Sequence, residues 1–116
     1  HLPYLELIET AARELRIPMR RGVLFVSPGP SYETAAEIKM VQVLGGDAVS
    51  MSTVPEVLVA RARNMKVAGI SCITNMATGL SQTPLSHQEV TEIANQVKSK
   101  FQELVREVIS KMDKLD

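Results

Sequence analysis

The sequence predicts an α/β fold, a mostly parallel sheet with flanking helices, and three observations carry that prediction. Apolar, β-rich runs alternate with helical segments along the chain. The later helices open on Ser/Thr-x-x-Glu signatures. The last helix is long and amphipathic enough to lie across a whole sheet. Helix–strand alternation implies parallel pairing through right-handed crossovers. The 116 residues are 45% hydrophobic and 22% charged, with 13 basic against 13 acidic side chains. That suits one unit with a modest core, and zero net charge argues against electrostatic capture of nucleic acid or an anionic membrane.

The elements follow in order. Leu5, Ile8, Ala12 and Leu15 share one helical face within 4–16, and Pro18 ends that helix. Gly22 to Ser27 is a continuous apolar run without alternation, the pattern of a strand covered on both faces, broken by Pro28-Gly29-Pro30. Thr34 and Glu37 form a capping box for a helix that carries Ile38, Val41 and Leu44 and stops at Gly45-Gly46. Asp47 to Met51 is a short strand. Thr53-Val54-Pro55-Glu56 is a second expected capping box, opening a helix to about Asn64. Lys66 to Thr74 is expected as the third strand, and the loop 75–84 leads to a third box at Ser86 and Glu89. The helix beyond it carries an apolar stripe from Val90 to Met112 and spans roughly 38 Å at 1.5 Å per residue. That stripe suits core or subunit packing.

Cys72, alone of its kind, excludes an internal disulfide and a multi-cysteine zinc site; it falls in the third expected strand and is taken as buried and inert. No apolar run approaches the roughly 20 residues of a membrane span. Glu6, Glu9 and Glu14 interrupt the first leucines, unlike a signal peptide. A reducing, cytoplasmic setting is expected. The start at His1-Leu2-Pro3 implies either processing or a longer parent polypeptide.

Ligands of open parallel sheets bind beyond the carboxyl ends of the strands, here 28–33, 50–53 and 74–78. Helix starts there present free N–H groups, suited to an anion or a polar heterocycle. Tyr32, Glu33, Met51, Ser52, Asn75 and His87 offer hydrogen bonding and an apolar surface, with no nucleophile triad and no metal-ligand spacing. There is no dinucleotide or P-loop glycine motif. Arg61, Arg63 and Lys66 read as a solvated helix end, and 78–83 as a flexible loop able to act as a lid.

Gly29-Pro30-Ser31-Tyr32-Glu33-Thr34, then Gly46-Asp47-Ala48-Val49-Ser50-Met51-Ser52-Thr53-Val54-Pro55-Glu56, then Ile73-Thr74-Asn75 resemble the trimeric class of purine nucleoside phosphorylases, in order and from about Leu5 to Ile109. The resemblance is to that family's carboxyl-terminal half. It implies a mostly parallel mixed sheet of the phosphorylase/hydrolase kind, of which residues 1–116 are the carboxyl-terminal part. The amino-terminal half, with its phosphate-binding glycine loop, would be a missing partner. It further implies that Glu33 accepts from N1–H and the exocyclic amine of a 6-oxopurine. Asn75 would contact O6 and N7, and Tyr32 would flank the base. Met51 would pack under the ribose, and Val49 and Ala77 would line the base pocket. Ser52 would hold phosphate, and His87 the ribose 5′-hydroxyl. Glu33 and Asn75 would be the catalytic pair. Ser50 stands where the family usually has glycine.

The resemblance thus implies phosphorolysis of inosine and guanosine to free base and ribose 1-phosphate in purine salvage. Inorganic phosphate would be the co-substrate, with no metal or organic cofactor, in a cytoplasmic homotrimer. The isolated 116 residues are expected to be inactive. A methylthioadenosine phosphorylase is the related alternative, disfavoured by His87. A truncated, non-catalytic α/β binding module is the alternative of another class.

Overall fold

The computed structural model describes residues 1–84 and 86–113. Six elements follow one another: α1 (Leu2–Glu14), β1 (Leu24–Val26), α2 (Ala35–Val43), β2 (Ala48–Ser50), α3 (Val54–Ala62) and α4 (His87–Met112). This is the α/β order expected, with one difference. Residues 67–74 run past α1 and α4 without entering a ladder among the described residues, so the third expected strand is absent. An apolar run becomes a strand only when a neighbour takes its backbone N–H and C=O groups, and here the ladder holds β1 and β2 alone.

Those two strands are parallel, in the register Leu24↔Ala48, Phe25↔Val49 and Val26↔Ser50. Asp47 clamps the start of the ladder. Its N–H donates to Val23 O at 2.9 Å, and its Oδ2 accepts from Val23 N at 2.8 Å. At the other end Ser27 N donates to Ser50 O at 3.0 Å.

The core sits between the first and last helices. Ile8, Ala11 and Ala12 of α1 meet Leu104 and Val108 of α4, and Ala68 and Ile70 pack against the cluster from the side. Two adjacent alanines with almost no exposure let the helix axes come close, and Leu104 fills the space between them. Lys111 Nζ ties the rim, at 2.6 Å from Glu14 and 2.7 Å from Glu107. The hydrogen bonds to Glu107 and then Glu14 raise the Lys111 pKa above the ordinary lysine value. A separate pair, Ile38 and Val41, buries the inner face of α2.

Much apolar surface stays outside this core. The radius of gyration is 15.5 Å, against about 13 Å for a compact domain of this length. Val43 is 86% exposed, and Leu44, expected on the inner face of α2, is 66% exposed. Leu44 is the C-cap residue, beyond the stretch of α2 that faces the sheet.

Cap geometry is uneven. The Thr34–Glu37 box forms in full: Thr34 N donates to Glu37 Oε2 at 2.7 Å, and Glu37 N donates to Thr34 Oγ1 at 3.3 Å. The backbone N–H of Thr34, and then its hydroxyl, hold the Glu37 carboxyl below its ordinary pKa. Ser86 Oγ accepts from Glu89 N at 3.2 Å at the start of α4. The box expected at Thr53 does not form. Thr53 has φ 83° and ψ −50°, which carries its hydroxyl off the helix end, 3.5 Å from Ser52 Oγ. Cys72, expected in a buried strand, is exposed because that stretch joins no ladder. No helix among the described residues is long and apolar enough to cross a membrane.

Candidate active site

The turns after β1 and β2 lie side by side because the parallel register ends both strands at the same level. Gly29 shows how close they come. A methyl group on its α-carbon would lie 2.8 Å from Met51 Sδ, and its φ of +69° is one that side chains rarely allow. The third loop also meets the first. A methyl group at Gly79 would lie 2.9 Å from Ala35 Cβ, at the start of α2. The first two sequence-predicted exits are therefore in contact, and Gly79, just past the third, reaches the start of α2.

Within the first turn, Tyr32 is exposed and Glu33 half-buried. Thr34 and Glu37 already complete the cap of α2, so Glu33 has no capping duty. Ser27 Oγ donates to Glu33 Oε1, while Glu33 Oε2 has no hydrogen bond among the described residues. The sequence singles out Glu33 but passes over Ser27. The available signal was a hydroxyl closing an apolar strand, six residues before the carboxylate.

The second turn is built from hydroxyls. Ser50 Oγ accepts from Ser52 N at 3.1 Å and lies 3.3 Å from Ser52 Oγ. Ser52 and Met51 are exposed, and Val49 is half-buried in the middle of β2. The left-handed Thr53 is an outlier for a β-branched residue, a conformation that costs about 1–3 kcal/mol and tends to mark functional turns. With Thr53 withheld as a cap, the amides of Val54 and Glu56 have no side-chain acceptor among the described residues, and Pro55 carries no N–H.

In the third loop Asn75 is half-buried, and its Nδ2 donates to Thr74 Oγ1 at 3.0 Å. One amide hydrogen and the carbonyl oxygen are left over for other partners. Ala77 O accepts from Leu80 N and Ser81 N, both at 3.0 Å, which folds the expected lid into a hydrogen-bonded turn. His87 is exposed at the start of α4. No hydrogen bond joins His87 or Asn75 to the first two turns among the described residues. A groove of about 620 Å³, mainly apolar, touches this region only through Ser52 and Thr53. It continues between α3, the 65–70 stretch and α4. The described residues hold no group of three His, Cys, Asp or Glu placed to bind a metal ion.

The arrangement offers an acceptor at Glu33, a donor–acceptor pair at Asn75, hydroxyls around Ser52 and an aromatic face at Tyr32. Singly, these groups suit the edge of a flat heterocycle or an anion beside a helix start.

The chain is similar to known proteins along almost its whole length. The profile of the Phosphorylase superfamily matches residues 4–110. The chain is 49% identical over 109 residues to purine nucleoside phosphorylase 1 of Geobacillus stearothermophilus, covering 94% of this chain and 40% of that protein. It is 48% identical over 107 residues to purine nucleoside phosphorylase 1 of Bacillus subtilis, covering 92% and 40%. Among solved structures, Schistosoma mansoni purine nucleoside phosphorylase in complex with inosine superposes with a TM-score of 0.89 at 32% identity. The match covers 94% of this chain and 40% of that one, and the same enzyme has been solved with adenosine. The chain thus spans about 40% of the length of the curated relatives it matches. With almost its whole length matched in sequence and in backbone, the chain belongs to the phosphorylase superfamily.

Proposed function

We propose that the full protein phosphorolyses purine nucleosides of the inosine and guanosine type, and that residues 1–116 supply the base-binding, carboxyl-terminal part of its site. The observation that carries this reading is Glu33: a half-buried carboxylate with one oxygen unpaired among the described residues, released from capping by Thr34 and Glu37, in the turn that meets Met51.

In this reading an oxygen of inorganic phosphate forms a bond to C1′ as the C1′–N9 bond breaks. The bonding electrons leave with the purine. Negative charge then builds on the base, and Asn75 can meet it at N7 with the amide hydrogen not spent on Thr74. A donor aimed at developing charge contributes about 3–4 kcal/mol in comparable sites. Glu33 accepts from N1–H, and Tyr32, Val49 and Ala77 enclose the base. Met51 packs under the sugar, Ser52 and the uncapped start of α3 receive phosphate, and His87 reaches the 5′-hydroxyl. No metal or organic cofactor takes part in this scheme, and the assembly is a cytoplasmic homotrimer. The neighbouring enzyme has been crystallised with both inosine and adenosine. Base choice is in this reading a ratio of kcat/KM values rather than an exclusion.

The test is hypoxanthine release from inosine and phosphate, measured on the full-length polypeptide carrying these residues and on the 116 residues alone. The reading expects turnover from the first and little from the second. A full-length protein that cleaves neither inosine nor guanosine overturns it.

A further inference from the structure

We infer that Ser27 is a positioning residue for Glu33 and tunes the site toward purines that carry an N1–H donor; this rests on the purine reading above. Four observations lead there. Ser27 Oγ donates to Glu33 Oε1, and both residues are half-buried. Ser27 is itself fixed to the sheet, since its N–H donates to Ser50 O at 3.0 Å, directly past the last ladder pair. Pro28 and Pro30 follow it, each with a locked φ, so the link from Ser27 to Glu33 has few ways to relax. Finally, Glu33 Oε2 has no hydrogen bond among the described residues.

A glutamate side chain has three rotatable bonds and, left alone in a turn, sweeps many positions. One hydrogen bond from a strand-anchored hydroxyl removes most of that freedom. It presents the second oxygen as a single, fixed acceptor. Such an acceptor favours a base edge that offers an N–H and disfavours one that offers a bare ring nitrogen, because two facing lone pairs repel. Ser27 touches neither the reacting bond nor the base in this scheme. It acts through Glu33.

Ser27→Ala in the full-length protein tests the inference with three nucleosides: inosine, guanosine and unsubstituted purine riboside, which has no N1–H. The backbone bond to Ser50 O survives the substitution. The expected result is a rise in KM of about tenfold for inosine and guanosine with kcat changed by less than about twofold, the signature of lost positioning of a bound base. Purine riboside is expected to show no such rise, and Ser27→Thr, which keeps the hydroxyl, to restore KM for inosine. Equal losses on all three substrates would mean a merely structural role, and unchanged KM for all three would mean no role; either overturns the inference while leaving the proposed function standing. If the unmodified protein cleaves none of the three, the proposed function falls and the inference with it.

Discussion

Two glycines with left-handed backbones but different surroundings allow the contact between the first two turns to be weighed. Gly29 has φ +69° and Gly45 φ +86°. An alanine at either must adopt a conformation costing about 1–2 kcal/mol, offset by about 0.4–1 kcal/mol because alanine has less freedom to lose on folding. Around Gly45 nothing lies within 4 Å of the added methyl group. Gly45→Ala should therefore cost about 1 kcal/mol from backbone alone. At Gly29 the same methyl group meets Met51 Sδ at 2.8 Å. Met51 is 39% exposed on an unbranched stem, so it swings aside rather than pushing the backbone. An off-rotamer shift of that kind costs about 0.5–1.5 kcal/mol, which brings Gly29→Ala to about 2 kcal/mol. Urea unfolding of both variants, followed by far-UV circular dichroism, measures the difference. At a slope of about 2 kcal/mol/M the two midpoints should separate by about 0.5 M. Identical losses would refute the claimed contact between Gly29 and Met51. In the full-length protein Gly29→Ala should also raise KM for inosine through the displaced Met51, while Gly45→Ala should not.

Further expectations concern the core, the cap and the base edge. Leu104→Ala, at the fully buried centre of the α1–α4 contact, should cost about 2–5 kcal/mol by chemical denaturation, and a loss under about 1 kcal/mol would contradict its placement. The Glu37 carboxyl titrates below its ordinary value, so the cap of α2 contributes stability above the usual carboxylate range and loses it as pH falls through the lowered value. Glu37→Gln removes that acid-side dependence, and acid unfolding curves of the same shape for both proteins would contradict the cap. Asn75→Asp should shift the kcat/KM ratio of the full-length protein toward 6-aminopurine nucleosides; an unchanged adenosine-to-inosine ratio would remove Asn75 from base selection.

What the sequence revealed divides along a physical line. Local signals read well. The Thr34–Glu37 box, the long α4 and both ladder strands are encoded within a few residues of themselves. Features that depend on what lies opposite read poorly. The 66–74 run has the composition of a buried strand, but composition reports an affinity for neighbours and not their presence, so Cys72 is exposed where burial was expected. Leu44 follows the helical spacing yet is exposed, because it caps the helix beyond the stretch that faces the sheet. Thr53 fails as a cap because its backbone angle is set by the turn from Ser50, which overrides the hydroxyl's own preference. At the candidate site, Glu33 and Asn75 were singled out by residue type and place after a strand, and their roles only by the family resemblance. The hydroxyl of Ser27 that steers Glu33 was hidden, because only the folded turn brings two residues six apart into contact.

The Asp47 clamp at the foot of the ladder has an effect far from where it acts. Sliding β2 by one residue against β1 would carry Met51 and Ser52 about 3.3 Å past Glu33 and send every side chain of the strand to the opposite face. With only three facing pairs to resist such a slip, Asp47, whose carboxylate accepts from Val23 N while its backbone N–H donates to Val23 O, works as an index pin. The alignment of the two turns beyond the strands is thus decided at the opposite end of the ladder.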